Sequence, residues 1–269
     1  MHRNGQGETM KFKALTSAEN EKIKLYRKLC SDKKARRSLE LFPLEGARLI
    51  RDAAAEKGEL TLVFVTEKFG EEPEKLAKIY GSENIYIITE ELAAKMSDTS
   101  TPQGIFAVCK TPSVHGNFTE IIPGGRYIIL DNLQDPGNMG TILRTADSLG
   151  IDGIACCNCC DLFSPKTVRS AMGSLLRVRT MCGEFEKITE MFRKADIPIF
   201  SAVTDDDAQD IKKCDFSRGG AVIIGNEGSG IPKEHITGKR ITIRMHGTVD
   251  SLNAAMAAGI MMWVLEAGN

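Results

Sequence analysis

The chain has 269 residues, 42% hydrophobic and 26% charged, with a formal net charge of −1. That balance excludes a disordered chain, and it excludes nucleic-acid binding by bulk charge, so any such contact must come from local patches. No apolar run approaches the roughly 18 residues of a membrane span. The opening residues carry no signal-peptide pattern, and eight cysteines without one point to free thiols in a reducing, cytoplasmic setting.

The chain opens on a polar tail, "MHRNGQGET", followed by a basic helical stretch over residues 22–37 in which eight Lys and Arg face only Asp32. Lys33, Lys34, Arg36 and Arg37 are its densest part and form a candidate phosphate-binding patch. Short apolar runs then alternate with charged helical segments: "LELF", "EGARLIRDAAAEKG", "LTLVFVT", "EEPEKLAKIYG", "NIYIIT", "EELAAKMS" and "GIFAVC". This alternation reads as a small α/β unit. Residues 110–125, "KTPSVHGNFTEIIPGG", lack periodicity and read as a linker.

Beyond it the pattern restarts. "RYIILDN", "GIACC", "IPIFSAV", "GAVIIGNE" and "RITIRM" read as strands, and "NMGTILRTADSLG", "SPKTVRSAMGSL", "EKITEMFRKAD" and "SLNAAMAAGIMMWVLEA" as helices. Continuously apolar strands separated by helices predict a mostly parallel sheet covered on both faces. The stretch "CCNCC", residues 156–160, falls at the end of the second of these strands. A structural zinc site needs a second ligand pair, and Cys30, Cys109, Cys182 and Cys214 stand singly in the sequence, as do the four histidines. Cys156, Cys157, Cys159 and Cys160 are therefore read as small core residues of a strand and its exit loop, with no metal expected.

Three stretches are more polar and glycine-rich than a core requires. In "LDNLQDPGNMGTILRTADSLG" a strand runs through a turn into a helix; Asn138 is a candidate N-cap, and Arg144 lies within the first two turns, where a cation suits phosphate binding. "IIGNEGSGIP" is a glycine-rich loop leaving a strand, and matches neither the dinucleotide fingerprint nor a Walker loop. In "ITIRMHGTVDSLNAAMAAGIMMW" a strand leads to a helix rich in Ala, Gly and Met, with Ser251 as candidate N-cap and Asn253 in the first turn.

Taken in order, these stretches resemble the signature motifs of the SpoU (TrmH-like) family of RNA ribose 2′-O-methyltransferases, in the SPOUT superfamily. The matches are N-x-x-x-x-x-R-T-A at Asn138 to Ala146, G-N-E-G-x-G at Gly225 to Gly230, and I-x-M-x-G-x-x-x-S-L-N at Ile243 to Asn253. "LEGARLI" and "DTSTPQGIFAV" are similar to the two ends of the family's small N-terminal domain, so the likeness runs from about residue 40 to residue 265.

The resemblance implies an L30e-like RNA-binding domain over residues 1–112, a linker at 113–124, and an α/β SPOUT methyltransferase domain with a trefoil knot over 125–269. It implies S-adenosylmethionine as cofactor, held around Gly225, Ile243 and Leu252. Arg144 would be the catalytic arginine, and Asn138, Glu227, Ser251 and Asn253 would organise the site. It further implies a homodimer acting on RNA, ribosomal rather than transfer RNA, because such an N-terminal domain is commoner among the family's ribosomal RNA enzymes. A transfer RNA methyltransferase and a non-catalytic RNA-binding or ribosome-assembly protein are the alternatives. The sequence departs from the family's pattern at Arg244, where Pro is usual, at Asp250, and at "SLNAA", where S-L-N-V-S is commoner.

Overall fold

Amphipathic helices packed on apolar strands organise the chain into two units, seen in a computed structural model that describes residues 2–3, 9–10, 12–69, 72–99, 101–116, 121–248 and 251–268. One unit comprises Met1–Pro112 with Phe163–Arg169, the other Ser113–Leu162 with Ser170–Asn269. Asp250, Ser100 and four of the expected linker residues (117–120) lie outside the described residues.

The first unit holds a mixed five-stranded sheet. Its strands are β1 (Lys13–Leu15), β2 (Leu41–Glu45), β3 (Leu60–Thr66), β4 (Ile85–Ile88) and β5 (Ile105–Lys110), in the order β1-β4-β3-β5-β2. β5 runs antiparallel to β2 and β3, and the other pairs are parallel. Helix α1 (Glu21–Ser31) starts where the Asn20 side chain accepts the Lys22 amide, and buries Ile23, Tyr26 and Leu29 at a spacing of three. Tyr26 meets Phe64 and Phe106 edge-on at 6.1 and 5.5 Å. Asp32 ends α1 and caps α2 (Lys33–Leu39), accepting the Lys34 and Ala35 amides at 2.8 and 3.1 Å.

That cap turns α2 so that the basic patch divides. Lys34 and Arg37 are exposed and Lys33 is half-buried. Arg36 does not join them. It is 6% exposed, and its guanidinium donates to the Leu29 and Cys30 carbonyls, holding the C-terminal end of α1 to α2. Those carbonyls have no partner within their own helix, which gives a cation there a structural task. Helices α3 (Ala47–Ala55), α4 (Glu72–Tyr80) and α5 (Glu90–Met96) complete the unit.

In the second unit β6 (His115–Gly116), β7 (Arg126–Asp131), β8 (Gly153–Cys157), β9 (Thr180–Cys182), β10 (Ile199–Ala202), β11 (Gln209–Asp210), β12 (Gly220–Ile224) and β13 (Lys239–Thr242) form one sheet. Its order is β11-β13-β10-β12-β7-β8-β9-β6, and every pair is parallel. His115–Gly116, inside the stretch read as linker, thus pairs at one edge. Helices α6 (Pro136–Ser148), α8 (Phe185–Lys194) and α9 (Ala254–Ala267) accompany it, while most of α7 (Pro165–Ala171) falls in the first unit. Phe185, Ile188 and Phe192 of α8 pack with Tyr127, Ile129, Ala155 and Ile223 on one face, while α9 packs on α6, β7 and β12. Burial on both faces explains why these strands are apolar throughout rather than alternating.

The cysteine stretch divides as strand and exit loop. Cys156 and Cys157 close β8, Asn158 turns the chain at φ 51°, and Cys159 and Cys160 are half-buried. The Cys156 thiol is in hydrogen-bonding contact with those of Cys159 and Cys182, which with burial keeps it protonated far above the ordinary thiol range. Burial likewise pushes Cys157 and Cys160 up to about 12. All eight cysteines are free thiols.

Replacing Arg36 with Ala leaves two helix-terminal carbonyls without their donor in a buried setting. We expect a loss of about 1–3 kcal/mol in chemical denaturation of the full chain. Lys34→Ala and Arg37→Ala, at the surface, should each stay within about 0.5 kcal/mol.

Candidate active site

A parallel sheet delivers the exits of its strands to one edge, and here those exits carry the polar motifs. β7 ends at Asp131, and the loop from Asn132 leads into α6. The N-cap of α6 is Asp135, whose carboxylate accepts the Asn138 amide at 2.8 Å, with Pro136 in the first helical position. Asn138, expected as the cap, lies three residues further on, which frees its side chain for other partners.

β12 ends at Ile224 and passes into a tight loop. The amides and carbonyls of Asn226 and Gly230 bond reciprocally, both at 3.0 Å. The Asn226 side chain holds the turn from inside, accepting the Gly228 and Ser229 amides. Gly225 is required by close approach: a Cβ there would lie 2.2 Å from the Gly230 carbonyl carbon and 2.3 Å from the Ile231 nitrogen.

β13 ends at Thr242, so Ile243, Arg244 and Met245, read as strand, belong to its exit. The pairing that would extend it is missing because β11 stops opposite Thr242. α9 begins at Ala254 with Asn253 as its N-cap, accepting the Ala255 and Met256 amides at 2.9 and 3.3 Å. Ser251, expected as the cap, lies two residues before the cap itself.

These three segments meet through one chain of side chains. The Glu227 carboxylate accepts the Asp135 amide at 3.0 Å, the Gln134 amide at 3.3 Å and Asn138 Nδ2 at 3.2 Å. Asn138 Oδ1 in turn accepts Asn253 Nδ2 at 3.0 Å. Partial desolvation pushes the Glu227 carboxyl up, but the Asp135, Asn138 and Gln134 donors outweigh it and hold it below the usual carboxylate range. Its oxygens so occupied, Glu227 ties the loop that leaves β12 to the entry of α6.

Beside this network lies a cavity of about 320 Å³. It sits where β10, β12 and β13 end, and Gly225, Glu227, Ile243, Ser251 and Leu252 all line it. Its apolar walls beside strand-end backbone suit a purine nucleoside and a short polar tail, at the lower end of the roughly 300–1,000 Å³ usual for ligand pockets. Arg144 does not line the cavity. It is exposed on α6, and its guanidinium makes no hydrogen bond or ion pair to any described residue. Among the described residues no group of three or more His, Cys, Asp and Glu is placed to hold a metal ion.

Some residues of this network were not among the candidate site residues read from the sequence. Asn226 Nδ2 donates to the Asn132 carbonyl at 2.8 Å, and Gln134 Nε2 to the Asn158 carbonyl at 2.8 Å. Asn158 Nδ2 donates to Asn132 Oδ1 at 2.5 Å. The legible signals were Asn before Glu-Gly, an Asx-turn pattern, and Asp before Pro, the N-cap and first position of a helix.

The model of the SpoU rRNA Methylase family matches residues 125–263, and that of the MRM3-like substrate binding domain matches residues 20–107. The chain is 29% identical over 260 residues to the 23S rRNA (guanosine(2553)-2′-O)-methyltransferase RlmP of Bacillus subtilis, covering 95% of this chain and 100% of that one. It is 31% identical to an uncharacterized tRNA/rRNA methyltransferase of Synechocystis, covering 95% and 94%. An AdoMet-bound rRNA methyltransferase from Sinorhizobium meliloti superposes with a TM-score of 0.81 at 27% identity, covering 95% and 98%.

Glu227→Gln keeps the shape but turns an amide donor toward donors. Exchange protection of the Gln134 and Asp135 amides should fall about tenfold, read by hydrogen exchange corrected for intrinsic rates. A depressed carboxyl stabilises above its unfolded value and loses that contribution as pH falls through the folded one. The wild-type protection should therefore be intact above the ordinary glutamate range and fade only as pH falls below it.

Proposed function

The chain belongs to the SpoU rRNA methylase family and is an S-adenosylmethionine-dependent RNA methyltransferase acting on ribose 2′-hydroxyls; we propose that its substrate is ribosomal RNA and that Arg144 is its catalytic residue. The observation that supports the site assignment is one cavity lined by Gly225, Ile243 and Leu252 together with Glu227 and Ser251. The cofactor supplies a methyl group on a sulfonium, which any well-aligned oxygen nucleophile can accept. Gly225, Ile243 and Leu252 would hold it through backbone and apolar contact, and the residues present fit that task.

What remains for the chain is to orient the hydroxyl and to stabilise charge on its oxygen as the proton leaves. Arginine, with a pKa above about 12, is a poor literal base. An exposed guanidinium on α6, unpaired among the described residues, instead suits a clamp on the adjacent phosphate and on the developing alkoxide. Asn138, Asn253 and Glu227 set the backbone around it, and Ser251 faces the cavity from the approach to α9.

A second copy of the chain fits the remaining surface. Met256, Ile260 and Trp263 lie on one stripe of α9, exposed at 60%, 36% and 63%, with Leu252 at its start. α9 packs on α6, the helix that carries Arg144. We read this stripe as the homodimer contact, bringing Arg144 to a partner's cavity, and the trefoil knot as part of the same family reading. RNA affinity is assigned to Lys33, Lys34 and Arg37, and the working compartment to the cytoplasm. No helix among the described residues is long and apolar enough to cross a membrane.

The test is methyl transfer from labelled cofactor into ribosomal and, separately, transfer RNA, followed by digestion to nucleosides. Label in a 2′-O-methylnucleoside of ribosomal RNA is expected. Label from the transfer RNA pool would reassign the substrate, and none from either would make this a non-catalytic binder. Arg144→Lys keeps the charge but loses the planar fork, so turnover should fall about a hundredfold. Changing Lys33, Lys34 and Arg37 to Gln should lower the slope of log affinity against log salt by about 2–3. An unchanged slope would place the RNA elsewhere.

A further inference from the structure

Arg244 stands where family members usually carry Pro. Its neighbours Ile243 and Met245 both line the cavity, and Arg244 itself does not. Its Nη2 donates to the Asp206 and Ala208 carbonyls, both at 2.9 Å. These carbonyls belong to the loop that leaves β10. Ala202, Val203 and Thr204 at the start of that loop form another wall of the same cavity.

The loop is held elsewhere too. The Val203 amide donates to the Ile241 carbonyl at 2.9 Å, and the Ala208 amide closes a turn onto the Asp205 carbonyl at 3.2 Å. Arg240 donates to the Asp207 carboxylate at 2.8 and 2.9 Å and to the Asp205 carboxylate. Three consecutive aspartates, 205–207, would otherwise repel one another beside the cavity. Arg240 takes two of the carboxylates, and Arg244 takes the backbone beneath them.

Resting on the cofactor assignment above, we propose that Arg244 is a positioning residue for S-adenosylmethionine, pinning the 203–208 loop to the exit of β13 so that the two walls of the cavity keep one spacing. Arg240 is its charge-dependent companion. The two N–H groups of Nη2 serve the two carbonyls, which proline has no donor to reach. Preorganising the wall lowers the ordering cost of binding, so the effect falls on cofactor affinity.

The experiment measures cofactor Kd by calorimetry on the full-length protein, with exchange of the 203–208 amides read in parallel. Arg244→Met retains the apolar stem and removes the donors. Its Kd should rise about tenfold, and Arg244→Lys should fall between it and the wild type. In the wild type the Kd should change little with added salt. In Arg244→Met it should become salt-sensitive, because the loop then rests on the Arg240 ion pairs. Both variants should keep kcat at saturating cofactor. A wild-type Kd in Arg244→Met, or unchanged exchange of the loop amides, would overturn the positioning role. Absence of cofactor binding by the wild type itself would instead overturn the assignment on which the proposal rests.

Discussion

The Glu227 carboxylate fixes the polarity of everything around it. An ionised carboxylate accepts only, so the groups facing it must donate. The Asn138 amide therefore presents Nδ2 to Glu227 and Oδ1 to Asn253. Asn253 must then present its own Nδ2, which leaves its Oδ1 for the first amides of α9. One charge orders two side-chain amides and a helix cap. The same carboxylate receives the backbone of Gln134 and Asp135 as the chain enters α6.

Such a network can exist only because the sheet is parallel throughout. β7, β12 and β13 end at the same edge, so loops distant in sequence are released side by side. The helices α6 and α9 begin at that edge, and their first amides need acceptors that side chains must supply. Asp135 and Asn253 supply them as each helix's own cap. What crosses segments is the tie between the caps: Glu227 accepts the Gln134 and Asp135 amides and Asn138 Nδ2, and Asn138 accepts Asn253 Nδ2. The cavity lies beside this join, framed by backbone whose position the network has already settled.

Much of this was legible in the sequence, and the exceptions share a cause. The continuous apolar runs identified the parallel sheet, and the resemblance of three motifs to the SpoU family gathered Asn138, Glu227 and Asn253 into a common site. Asn138 was misread as a helix start because the pattern was followed to its first strongly periodic residue, whereas Asp-Pro already marked the boundary. Ser251 was misread because a hydroxyl before a helix is a good cap, yet Asn253 was closer and had the better geometry. Arg36 was counted among phosphate ligands because charge alone does not reveal that a residue faces its own preceding helix. Of residues 156–160, Cys156 and Cys157 are buried at the end of their strand, and Asn158 is the one that reaches the site, through Gln134 and Asn132. Each exception turns on where a polar side chain points, which depends on partners far away along the chain.

That distance has a consequence for how activity arises during folding. Asn138 is separated from Glu227 by 89 residues and from Asn253 by 115. Contacts of such span close only after most chain entropy has been surrendered, and they mature late in folding. A partly folded chain could hold its first unit, and several strands of the second, without any one of the bonds that order Asn138. Catalytic competence would then appear as a single step with the completed fold, so immature molecules should be inert toward RNA rather than weakly active.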